Sequence, residues 1–65
     1  MKVAGIDCGA KNTKTVIMKD KEILGKGIAM TGFDQSAAVE QSLQEALEDA
    51  GISRDELEGI GGTGA

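Results

Sequence analysis

The chain has 65 residues with one Phe, no Trp, no Tyr, one cysteine and no histidine, so it supports one small domain, which buries only about 60% of its unfolded surface. Its core must come from Val, Ile, Leu, Met and Ala, and both a disulfide framework and a zinc site of Cys and His are excluded. The net charge of −4 divides unevenly, with six lysines against three carboxylates in residues 1–32 and one arginine against eight in residues 33–65, a balance that argues against a general nucleic-acid binder, which needs a basic stripe.

Lys2 to Asp7 opens the chain as a strand. Val3, Ala4, Gly5 and Ile6 form a short continuous apolar run, the pattern of a strand buried on both faces. Asp7 ends the run too early for a signal-peptide core, and no apolar stretch approaches a membrane span. With a lone thiol suited to a reducing compartment, a soluble cytoplasmic protein without a membrane partner is expected. Asp7 to Asn12 reads as a turn and Thr13 to Lys19 as a second strand. Period-two alternation puts Lys14, Val16 and Met18 on one face, with Thr15 and Ile17 on the other.

Asp20-Lys21 fits a tight turn without the usual glycine. Glu22 to Met30 is a third strand in which Gly25 and Gly27 signal a bulge or a close neighbour. Thr31-Gly32-Phe33 breaks the pattern, and Asp34 or Ser36 is placed to cap a helix. Over Gln35 to Ala50, Val39, Leu43, Ala46, Leu47 and Ala50 recur at helical spacing, with Glu40, Gln41, Gln44, Glu45 and Glu48 opposite. Gly51 suits a left-handed terminus, with Ile52 folding back on Leu47. Ser53 to Glu56 has the capping-box pattern and predicts a short helical turn. Glu58 to Gly61 begins a fourth strand, followed by the glycine-rich run Gly61 to Ala65.

The fold class is therefore α/β in the order βββαβ. An antiparallel three-stranded meander is followed by a crossover helix, and a right-handed crossover sets the fourth strand beside and parallel to the first. A domain ending on such an edge is expected to be part of a longer one.

The densest chemical signal runs from Gly5 to Val16. An acid at a strand end, a glycine turn, then a hydroxyl and lysines suits phosphate. Gly9 allows close backbone approach, Asp7 suits Mg²⁺ held through water, Thr13 offers a donor, and Lys11 or Lys14 offsets phosphate charge. An ordinary polar hairpin turn fits the spacing equally well. Neither G-x-x-x-x-G-K-[ST] nor G-x-G-x-x-G is present, which disfavours a P-loop and a Rossmann site.

The Asp7-x-Gly9 hairpin with Thr13-Lys14 resembles the first phosphate motif of the actin, sugar-kinase and heat-shock-chaperone superfamily, whose ATPase domain has a ribonuclease H-like fold. Ala4 to Met18, Thr31-Gly32-Phe33 and the Gly61 to Ala65 run are most similar to one branch, the ATPases that activate 2-hydroxyacyl-CoA dehydratases and benzoyl-CoA reductases. The resemblance covers the whole chain but only the N-terminal part of the family's length, so residues 1–65 would be a partial N-terminal subdomain of an actin-like ATPase domain. It implies an intact homodimeric [4Fe–4S] protein that hydrolyses ATP and passes a low-potential electron to a CoA-ester dehydratase or reductase. It further implies that Asp7 serves Mg²⁺ and that Gly9, Ala10, Lys11, Asn12, Thr13 and Lys14 surround the ATP phosphates. The family often has Ser or Thr at the position of Ala10, so one donor is missing. The cluster cysteines are expected beyond Ala65, with Cys8 a packing residue, and the 65-residue chain alone is expected to be inactive. A small-molecule kinase of the same superfamily, an actin-like filament protein and a non-catalytic α+β module are the alternatives.

Overall fold

The structure, a computed structural model, describes residues 1–64. Strands β1 (Lys2–Cys8), β2 (Asn12–Lys19) and β3 (Glu22–Met30) precede helix α1 (Gln35–Ala50), a 3₁₀ turn over Arg54–Glu56 and strand β4 (Gly59–Gly64). The sheet order is β3-β2-β1-β4, with β1–β2 and β2–β3 antiparallel and β4 parallel to β1. This is the βββαβ arrangement anticipated from the sequence. The glycine-rich run is strand through Gly64, and Ala65 lies outside the described residues.

Each connection has a local cause. Asp20 and Lys21 take φ of 49° and 74°, the left-handed pair that a two-residue hairpin requires to match strand twist. Asp34 caps α1 by accepting from the N–H groups of Ser36 and Ala37 at 3.0 and 3.3 Å. At the other end Gly51 has φ 73°. Its N–H donates to the Glu48 carbonyl and that of Ile52 to the Leu47 carbonyl, both at 3.2 Å, the paired bonds of a Schellman ending.

α1 lies across β3 and β2 and packs much less on β1. Its inner stripe is small: Ala38, Ser42 and Ala46 are buried at four-residue intervals, facing buried Gly25, Gly27 and Ala29 of β3. A Cβ on Gly25 would stand 2.6 Å from the Ala46 carbonyl oxygen, and one on Gly27 would strike the Ser42 carbonyl oxygen. The glycines thus record a helix backbone pressed on the strand. A register shift beside Leu24 adds the anticipated bulge. Ala4, Ile17, Leu43, Ala46 and Leu47 form the core, with Leu24, Ala50, Ile52 and Leu57 packed against it. Ser42, which apolar periodicity passed over, is fully buried and shares a 2.7 Å hydrogen bond with buried Thr15.

The edge of β3 has its own cover. The Lys26 N–H donates to Asp49 Oδ2 at 3.0 Å and the Ile28 N–H to Glu45 Oε1 at 3.4 Å. One expectation needs correction: β1 is not buried on both faces. Only Ala4 of its apolar run is buried, while Gly5 and Asp7 are exposed on the face opposite α1. The run is continuous because small residues and Ile6 border a sheet half that the helix barely reaches. No helix is long and apolar enough to cross a membrane among the described residues.

Candidate functional site

The parallel strands β1 and β4 finish together, Asp7 opposite Thr63 and Cys8 opposite Gly64. On the other side Asp7 pairs with Lys14 of β2. Alternation from buried Ala4 sends Asp7 to the face away from α1, and a cross-strand pair shares a face, so Lys14 stands there too. Both are exposed. Asp7 has no side-chain hydrogen bond or ion pair among the described residues, and with Gly5, Ile6, Gly61 and Gly62 it lines a surface cleft.

The β1–β2 hairpin closes through the Gly9 N–H, which donates to the Asn12 carbonyl at 3.0 Å. A Cβ on Gly9 would sit 3.0 Å from that same oxygen, so glycine is favoured here by space within the turn. Ala10, Lys11 and Asn12 are exposed at the tip. The backbone N–H groups of Ala10 and Lys11 have no partner among the described residues. Two open N–H groups, the ammonium groups of Lys11 and Lys14 and one carboxylate make a group suited to a polyanion carried with a divalent cation.

Thr13 is not part of that accessible set. It lies with Thr15 and Ile17 on the helix-facing side and is fully buried. Its hydroxyl is 2.8 Å from the Thr31 hydroxyl and 3.6 Å from Cys8 Sγ. The Thr13 hydroxyl is thus turned inward, on the opposite face from Asp7 and Lys14. Thr31 is the residue that sequence reasoning missed. Its hydroxyl donates to the Gly9 carbonyl at 3.0 Å and its N–H to the Lys11 carbonyl at 2.9 Å. The signal was available in the register: Asn12 pairs with Met30, so the next residue falls opposite Lys11.

Asp7 fits an Mg²⁺ ion held mostly by water and ligand phosphates, because a single exposed carboxylate without a protein partner is what such an ion uses. An iron–sulfur cluster does not fit these residues. Cys8 is the one cysteine of the chain, a [4Fe–4S] cluster takes four thiolates, and no group of three or more His, Cys, Asp or Glu gathers among the described residues.

No family model matches the chain. A protein of Methanocaldococcus jannaschii, described as uncharacterised, is 43% identical over 60 residues, covering 92% of this chain and 14% of that protein. Among solved structures, component A of the (R)-2-hydroxyglutaryl-CoA dehydratase of Acidaminococcus fermentans superposes with a TM-score of 0.88 at 30% identity, over 100% of this chain and 25% of that one. The activator of the 2-hydroxyisocaproyl-CoA dehydratase of Clostridium difficile, solved with bound ADPNP, superposes with a TM-score of 0.84 at 23% identity, over 98% of this chain and 24% of that one. The chain thus spans a quarter or less of the length of these three proteins.

Proposed function

Because the chain has the fold of a portion of the dehydratase activator components, as its sequence resemblance implied, we propose that residues 1–65 are the first phosphate-binding segment of an ATP-hydrolysing activator. The whole protein passes a low-potential electron to a CoA-ester dehydratase or reductase and works as a cytoplasmic iron–sulfur homodimer. The observation that carries the reading is superposition of this whole chain on 25% of component A at a TM-score of 0.88, with the exposed Asp7, Lys11 and Lys14 gathered around one hairpin.

In this reading the Ala10 and Lys11 N–H groups bind phosphate oxygens, while Lys11 and Lys14 offset their charge. Asp7 holds the waters around Mg²⁺, and the ion, when bound, neutralises charge developing on the transferred phosphoryl group. Thr13 supports the hairpin from inside. Cys8 takes no part in a cluster, whose thiolates come from elsewhere in the whole protein.

The test is titration of the purified whole protein with ATP, ADP and adenosine, with and without Mg²⁺. Binding that rises with phosphate number and with Mg²⁺ is expected. Equal affinity for ATP and adenosine, or no binding, sinks the reading.

A further inference from the structure

We propose that Thr31 is a positioning residue that aims the Ala10 N–H outward, toward the ligand's phosphates. The inference rests on the nucleotide reading above and adds a residue from outside the phosphate motif. Thr31 reaches both sides of the hairpin tip, holding the Gly9 carbonyl with its hydroxyl at 3.0 Å and the Lys11 carbonyl with its N–H at 2.9 Å. Its single hydroxyl proton is committed to Gly9, so in the 2.8 Å contact with Thr13 the Thr13 hydroxyl is the donor. Thr13 is fully buried, which anchors the chain of hydrogen bonds in the part of the protein least free to move.

The consequence follows from peptide geometry. The Gly9 C=O and the Ala10 N–H belong to one planar trans unit and point in opposite directions. Drawing the carbonyl back onto Thr31 therefore turns the Ala10 N–H away from the protein, where it has no partner among the described residues. The side chain at position 10 is a methyl group, so this backbone donor is what residue 10 can offer an anion. Thr31 fixes its direction before any ligand arrives, which lowers the ordering cost of binding.

Thr31→Val keeps the shape and removes the hydroxyl; Thr31→Ser keeps the hydroxyl. Two readouts on the full chain decide the matter: exchange of the two hydrogen-bonded amides of the hairpin tip, Gly9 and Thr31, without nucleotide, and the Kd for MgATP beside that for adenosine. Expected for Thr31→Val is faster exchange confined to the hairpin tip and an ATP affinity weaker by on the order of tenfold, the scale of one hydrogen bond. Adenosine affinity should hold, and Thr31→Ser should recover ATP binding to within about twofold of the parent. If Thr31→Val does not fold, Thr13→Val, which withdraws the inner support, takes its place with the same pattern expected. A lower melting temperature with unchanged exchange at the tip and unchanged ATP affinity overturns the proposal. So does loss of ATP and adenosine binding in equal measure. A parent protein that binds neither ATP nor ADP removes the nucleotide reading instead, and the exchange measurement still decides whether Thr31 orders the hairpin.

Discussion

A carboxylate with no partner among the described residues contributes little to their folding, so the effects of changing it are concentrated on whatever it meets from outside. Asp7 is such a group. Asp7→Asn in the whole protein should lower Mg²⁺-dependent ATP turnover by at least on the order of a hundredfold and leave the melting temperature nearly unchanged. A Mg²⁺ titration of hydrolysis, run beside thermal melts, checks this; a lower melting temperature with the same metal requirement would make Asp7 a scaffold residue. Lys21 presents the opposite case. Its φ of 74° costs a side-chain-bearing residue about 1–2 kcal/mol, so Lys21→Gly should raise stability by about 1 kcal/mol, roughly 4–8 °C in Tm for a domain of this size. An unchanged or lower Tm would show that the strain is relieved by something else in the turn. At this scale the sequence was half legible. Asp7, Lys11 and Lys14 could be picked out by chemistry, and all are exposed. The inward turn of Thr13 was not legible, since alternation groups it with Thr15 and Ile17 but does not say which face the helix covers.

Among the elements, α1 was readable because its signals are local. A capping aspartate, a periodic stripe and a terminal glycine are each specified within a few residues, and the helix spans Gln35–Ala50 as expected. The half-open state of β1 was not readable, since burial of a strand depends on where a distant helix lies. The seat of α1 on β3 predicts that Gly27→Ala is severely destabilising. The added methyl meets the Ser42 carbonyl, the Ala46 N–H and the Glu45 side chain together, and helix backbone cannot yield as a side-chain tip does. A loss of about 3 kcal/mol or more is expected, read by denaturant unfolding; a change under about 1 kcal/mol would mean that the helix is free to lift. The short turn before β4 has a pH signature. The Ser53 N–H, followed by the Lys2 ammonium, holds the Glu56 carboxyl below the usual carboxylate range, with both contacts at 2.9 Å. A lowered folded pKa means that the stabilisation is complete above the unfolded value near 4.5 and is lost as pH falls through the folded value. The Tm gap between the parent and Glu56→Gln should therefore be open at neutral pH and close in acid. A gap that persists in acid would contradict the assignment.

For the molecule as a whole, two predictions follow from what 65 residues contain. The isolated chain should release no phosphate from ATP above a no-protein control, because in the proposed reading its hairpin meets only the phosphate end of the nucleotide. Turnover by the pure chain would show that the segment is catalytically sufficient. In the whole protein, the iron–sulfur absorbance proposed above should survive Cys8→Ser; its loss in a folded protein would make Cys8 a ligand. The carboxylates of Glu45 and Asp49 also link helix and sheet in a metric sense. Four residues of helix advance about 6 Å, and two residues of strand advance about 6.6–6.8 Å, so the two repeats are nearly commensurate. The helix therefore carries a substitute for the carbonyl row of an absent neighbouring strand, matched to β3 at Lys26 and Ile28. Inserting or deleting one residue between positions 45 and 49 would rotate one acceptor by about 100° and break that match. The same change on the outer half of the sequence of turns, between Gln35 and Ala37, would leave it in step.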